Sequence, residues 1–128
     1  MKKEDLRQAA IEASKKAYAP YSKYKVGAAL LTKKGNVFTG CNVENSSYGL
    51  TNCAERTAVF KAVSEGETEF KEIVIYVDSA KLPTPCGACR QVLSEFSSDL
   101  KVTIISKTEE KQTDIQELLP LSFKFEKK

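Results

Sequence analysis

The chain has 128 residues, 41% of them hydrophobic and 29% charged, with a formal net charge of +3. That length and balance fit one soluble globular domain spanning residues 1–128, and the basic pairs (Lys2-Lys3, Lys15-Lys16, Lys33-Lys34, Lys127-Lys128) are too scattered among acids to argue for a nucleic-acid partner. The chain has no histidine, which excludes Ser-His and Cys-His nucleophile pairs and any His-liganded metal site.

In chain order, Leu6, Ala10, Ala13 and Ala17 mark one face of a helix that stops by Pro20. Residues 26–32 are apolar and end at the turn signal Lys33-Lys34-Gly35-Asn36. Residues 37–43 follow, and the pair reads as a β-hairpin. A polar loop over 45–52 leads to a helix over 53–65, with Asn52 as the expected N-cap and Gly66 past the end. Residues 73–77 form a buried-type strand, 78–85 a Pro-rich loop, 86–97 a helix and 102–105 another buried-type strand. Thr113-Asp114-Ile115-Gln116 resembles a capping box for a short helix ending near Pro120. The alternation after the hairpin predicts a mixed sheet with helices on its faces.

Met1-Lys2-Lys3-Glu4-Asp5 leads into an amphipathic stretch and no apolar run reaches bilayer length, so neither a leader nor a membrane partner is expected and the expected compartment is the cytoplasm. Thiols stay reduced there, and the four cysteines read as metal ligands or reactive groups rather than disulfides. Three of them sit at expected helix starts, in Cys53-Ala54-Glu55-Arg56 and Pro85-Cys86-Gly87-Ala88-Cys89-Arg90. If the two starts meet, Cys53, Cys86 and Cys89 supply three sulfurs to a tetrahedral Zn²⁺ and leave a fourth position for water, which is a catalytic pattern. Three thiolates leave the cluster at minus one. Helix N-termini stabilise them, and Arg56, or less favourably Arg90, can draw charge from the sulfurs. Glu55 lies two residues from a ligand, near the metal without binding it, and can carry protons between water and substrate.

These residues resemble the cytidine deaminase family, in its small homotetrameric form. The resemblance covers nearly the whole chain: Ala19-Pro20-Tyr21-Ser22-Lys23-Tyr24, Val26-Gly27-Ala28-Ala29-Leu30, Asn42-Val43-Glu44-Asn45, both cysteine motifs and Glu117-Leu118-Leu119-Pro120. It implies an α/β fold, a three-layer α/β/α with a mixed five-stranded sheet. It implies hydrolysis of cytidine and deoxycytidine to uridine and deoxyuridine plus ammonia in pyrimidine salvage, by zinc-activated water with Glu55 as the proton shuttle. Cys53, Cys86 and Cys89 are then the zinc ligands. The Ala54 backbone N–H and Glu55 hold the pyrimidine, and Asn42 and Glu44 hold the ribose 3′-hydroxyl. Tyr24 stands where the family usually has a stacked Phe. Tyr48 and Phe123 are expected to reach neighbouring subunits' sites in a homotetramer.

Blander readings stand beside these. Cys41 is a fourth ligand of a closed structural site or a small buried strand residue. Cys86-x-x-Cys89 alone fits a redox dithiol, which leaves Cys53-x-Glu55 unexplained. A nucleoside-like analogue remains open as substrate. Asn42 and Glu44 taken alone are edge-strand polar residues, Tyr24 and Phe123 core aromatics, and Arg90 a surface charge.

Overall fold

Val26–Thr32 (β1) is apolar almost throughout, and every one of its side chains is buried, as a strand covered on both faces requires. The structure, a computed structural model, describes residues 3–83 and 85–125. Lys2, Lys127 and Lys128 of the basic pairs lie outside the described residues.

β1 pairs antiparallel with β2 (Val37–Cys41) through a turn in which Gly35 takes φ 93°. On its other side it pairs antiparallel with β3 (Phe70–Val77). β3 runs parallel to β4 (Lys101–Ile105), and β4 antiparallel to β5 (Glu110–Asp114). The mixed five-stranded sheet has the order β2-β1-β3-β4-β5.

Strand alternation divides the core between the two faces. Ala28, Leu30, Ile73, Ile75, Val102 and Ile104 face α2 (Ala54–Ser64) and α3 (Gly87–Phe96), which contribute Ala58, Val59 and Leu93. Ala29, Leu31 and Val74 face Leu6 and Ala10 of α1 (Lys3–Ser14). The result is the expected three-layer α/β/α arrangement. Two glycines set the interlayer distance. A Cβ at Gly27 would stand 2.0 Å from the Ala10 carbonyl oxygen, and one at Gly40 would stand 2.4 Å from the Ala54 carbonyl oxygen and 2.5 Å from the Ala58 nitrogen. Gly40 therefore lets the first turns of α2 lie directly on β2.

Several boundaries differ from the sequence reading. The first helix stops before Pro20 as expected, but at Ser14, which leaves Ala17 of the expected face outside it. β3 starts at Phe70, whose ring is fully buried against Phe96. β5 has no signature in the pattern, because Glu110-Lys111-Gln112 has no apolar alternation; backbone pairing to β4 holds it as an edge. The short helix α4 (Ile115–Leu118) is capped by Asp114, whose side chain accepts the Glu117 N–H at 2.9 Å. Thr113, the expected cap, lies one residue earlier in β5 and donates its hydroxyl to Glu117 at 3.0 Å. Among the described residues, no helix is long and apolar enough to cross a membrane.

Candidate active site

The N-termini of α2 and α3 meet at one end of the sheet. Cys53 is the N-cap of α2, in place of the expected Asn52, and Cys86 is the N-cap of α3. Cys89 falls in the first turn of α3 and donates its N–H to the Cys86 sulfur at 3.4 Å. The Cys86 sulfur thus accepts one of the amides its helix cannot satisfy internally, whereas Cys53 makes no side-chain capping bond and its sulfur is left to the cluster.

The sulfurs of Cys53, Cys86 and Cys89 all lie within 4.8 Å of one another. Cys53 and Cys86 are 3.8 Å apart, Cys86 and Cys89 3.4 Å. Tetrahedral Zn–S bonds of about 2.3 Å place two sulfurs roughly 3.8 Å apart, so the cluster fits that ion. Cys41 is half-buried and outside the cluster, so among the described residues no closed four-sulfur site exists.

The electrostatics suit a cation. A hydrogen bond from Cys89, together with the Arg56 guanidinium, pulls the Cys53 thiol down to about 5 against the cost of burial. The shared hydrogen bond with Cys53, together with burial, pushes Cys89 the other way. Sulfurs that compete for protons are a donor set that a divalent ion satisfies by displacing them. Arg56 Nη2 donates to Cys53 Sγ at 3.3 Å. Arg90 does not join the sulfurs. Its Nε donates to the Pro85 carbonyl and its Nη1 to the Leu118 carbonyl, both at 2.8 Å, tying the α3 cap to the end of α4. This corrects both the surface-charge and the sulfur-donor readings of Arg90.

Glu55 follows in the first turn of α2 and is 5% exposed. Burial, reinforced by the negative charge of Cys53, pushes its carboxyl above the usual range. It lines a cavity of about 180 Å³ with Tyr24, Asn42, Cys53, Ala54 and Cys86. Burial and the charge of Glu55 also raise the Tyr24 phenol. Thr51 and Pro83 line the same cavity. Sequence reasoning missed both, and their only signal is their closeness in sequence to Cys53 and Cys86.

Asn42 is buried and reaches the cavity through a clamp on the chain before β1. Its Oδ1 accepts the Val26 N–H at 2.9 Å, and its Nδ2 donates to the Tyr24 carbonyl at 2.7 Å. Glu44 sits beside it against the Tyr21-Ser22 turn. Tyr48 and Phe123 are 76% and 64% exposed and do not line the cavity of their own chain. The Phe123 carbonyl accepts the Gln91 side-chain amide at 3.0 Å, which anchors the C-terminal segment on α3.

Residues 1–106 match the family described as the cytidine and deoxycytidylate deaminase zinc-binding region. A cytidine deaminase of Halalkalibacterium halodurans is 48% identical over 125 residues, covering 96% of this chain and 95% of that protein. One from Sporosarcina psychrophila is 47% identical over 114 residues, covering 88% and 84%. The crystal structure of cytidine deaminase from Burkholderia pseudomallei superposes with a TM-score of 0.92 at 48% identity, covering 96% of this chain and all of the other.

Proposed function

The chain belongs to the cytidine and deoxycytidylate deaminase family, and from that premise we propose how its own residues carry out the reaction. The enzyme hydrolyses cytidine and deoxycytidine to uridine and deoxyuridine, releasing ammonia, with zinc as cofactor. One observation carries the residue assignment: three clustered sulfurs and the buried Glu55 share a single small cavity.

Cys53, Cys86 and Cys89 would hold the zinc, which when bound would supply the Lewis acidity that makes a water acidic near neutrality. Glu55 takes a proton from the attacking water and delivers it to ring N3, making C4 the electrophile. The water oxygen bonds to C4. Glu55 then takes the remaining proton from the new C4 hydroxyl and passes it to the exocyclic amine; the C4–N bond breaks as the C4 carbonyl forms, and ammonia leaves. The raised affinity of Glu55 for a proton favours its holding one between these transfers. The Ala54 amide belongs to the first turn of α2, whose N–H groups lack intrahelical partners, and it binds the pyrimidine. Tyr24 stacks on the base. Asn42 and Glu44 hold the sugar 3′-hydroxyl.

Free nucleosides, rather than polynucleotides, are the substrates in this reading. In a strand the 3′-oxygen carries a phosphodiester, so the hydrogen that Glu44 would accept is gone and a negative charge takes its place. The remaining assignments go together. The domain spans the chain, acts in the cytoplasm in pyrimidine salvage, and assembles as a homotetramer in which Tyr48 and Phe123 complete neighbouring sites. Support comes from the exposure of those two aromatics and from the reduced thiols that the ligand set requires. The test measures ammonia release from cytidine, deoxycytidine and oligo-deoxycytidine under one condition. Rapid release from both nucleosides and almost none from the oligonucleotide is expected; comparable rates on the oligonucleotide would overturn the Glu44 assignment.

A further inference from the structure

Glu44 is built into the turn that precedes β1. Its Oε1 accepts the backbone N–H groups of Tyr21 at 3.0 Å and Ser22 at 3.2 Å, and its Oε2 accepts the Ser22 hydroxyl. The Ser22 oxygen in turn accepts the Tyr24 N–H at 3.0 Å. Between them Lys23 stands at φ 62°, in the left-handed region that a non-glycine residue enters at a cost, with its N–H bonded to the Ala19 carbonyl at 3.0 Å. A strained residue flanked by these bonds marks a turn held in one conformation by its partners rather than by its own preference.

Ionised, a carboxylate has roughly four acceptor positions. Three hydrogen bonds to Glu44 are present, two from backbone amides and one from the Ser22 side chain. The backbone pair fixes Oε1. The Ser22 hydroxyl fixes Oε2, and its single proton is committed there while its oxygen receives Tyr24. Ser22 therefore links the acceptor expected at the sugar to the backbone of the residue expected at the base.

We propose that Ser22 is a positioning residue whose hydroxyl orients the Glu44 carboxylate toward the sugar 3′-hydroxyl, and so sets the preference for nucleosides that carry that group. The proposal rests on the reading of Glu44 as the partner of the sugar. The same hydrogen bond from Ser22 holds Glu44 below the usual carboxylate range, which keeps it an obligate acceptor.

The experiment compares 2′-deoxycytidine with 2′,3′-dideoxycytidine, which differ only in the 3′-hydroxyl, by the ratio of their kcat/KM values. Ser22→Ala is expected to lower that ratio about tenfold, the scale of a lost hydrogen bond to a charged group. Ser22→Thr, which keeps the hydroxyl, is expected to preserve it. Glu44→Gln is measured alongside and is expected to lower the ratio as well. If Ser22→Ala slows both substrates equally while Glu44→Gln lowers the ratio, Ser22 only supports the fold and the proposal falls alone. If neither variant changes the ratio, the reading of Glu44 falls and takes the proposal with it. A fall with Ser22→Ala but not with Glu44→Gln would put Ser22 itself on the sugar and overturn the indirect role. A fall with Ser22→Thr equal to that with Ser22→Ala would overturn the role of the hydroxyl.

Discussion

Arg56 Nη2 stands 3.3 Å from Cys53 Sγ, one turn along the helix that Cys53 caps. In the proposed site the contact would offset part of the negative charge that three thiolates place around the metal. Arg56→Ala is expected to weaken zinc binding by roughly 10–100-fold, as losses of partners to metal ligands do. Competition with a chelator of known affinity measures it, and unchanged zinc retention would show that the contact is incidental.

Glu55 is asked to serve both the water and the leaving amine. Glu55→Gln keeps its size and its burial and removes only the titrating group. Turnover of cytidine is expected to fall by at least the upper end of the usual general acid–base range, about 10⁴-fold, with zinc still bound. Steady-state rates together with metal analysis check this; turnover near that of the unmodified enzyme would remove Glu55 from the mechanism.

Gly40 carries no chemistry, yet it sets where the ligand helix lies. A Cβ there would meet the backbone of Ala54 and Ala58 at 2.4 and 2.5 Å, and neither atom can move without shifting α2. Gly40→Ala is expected to cost about 1–3 kcal/mol of stability and to weaken zinc binding through displacement of Cys53. Gly49→Ala, where nothing lies within 4 Å of the new atom, serves as the control and should change stability by less than about 0.5 kcal/mol. Equal unfolding midpoints for the two variants would contradict this packing argument.

What was legible in the sequence follows from how narrowly chemistry restricts a position. A metal without histidine needs sulfur, and Cys53-x-Glu55 with Cys86-x-x-Cys89 leaves few other readings. The buried strands were legible because runs such as Ile73-Val74-Ile75 have no polar interruption, and both faces are in fact covered. β5 escaped because Glu110, Lys111 and Gln112 are held by backbone pairing, which side-chain patterns do not record. The pattern places the N-cap one residue early because asparagine is the commoner cap, whereas the cap position here is Cys53, one of the clustered sulfurs. The contacts of Ser22 and Arg90 reach residues distant in sequence, Glu44 and Leu118, and nothing local distinguishes the two from surface polar residues.

Tyr48 and Phe123 lie outside the cavity of their own chain, so the assembly proposal has a sharp consequence. Chains carrying Glu55→Gln and chains carrying Phe123→Ala should each be nearly inactive alone. After dissociation and reassembly together, some sites combine an intact Glu55 with an intact Phe123 from a neighbour, and activity should return. Light scattering of the active species should give four chains. Mixtures no more active than the sum of their parts, or a fully active monomer, would show that each chain's site is complete.

X-ray absorption at the zinc edge of the active enzyme tests the central claim most directly, because it reads the donor set on which the proposed chemistry depends. The cluster of Cys53, Cys86 and Cys89 is expected to give three sulfurs at about 2.3 Å and one light atom. Four sulfurs would close the position that water needs and contradict the proposed site.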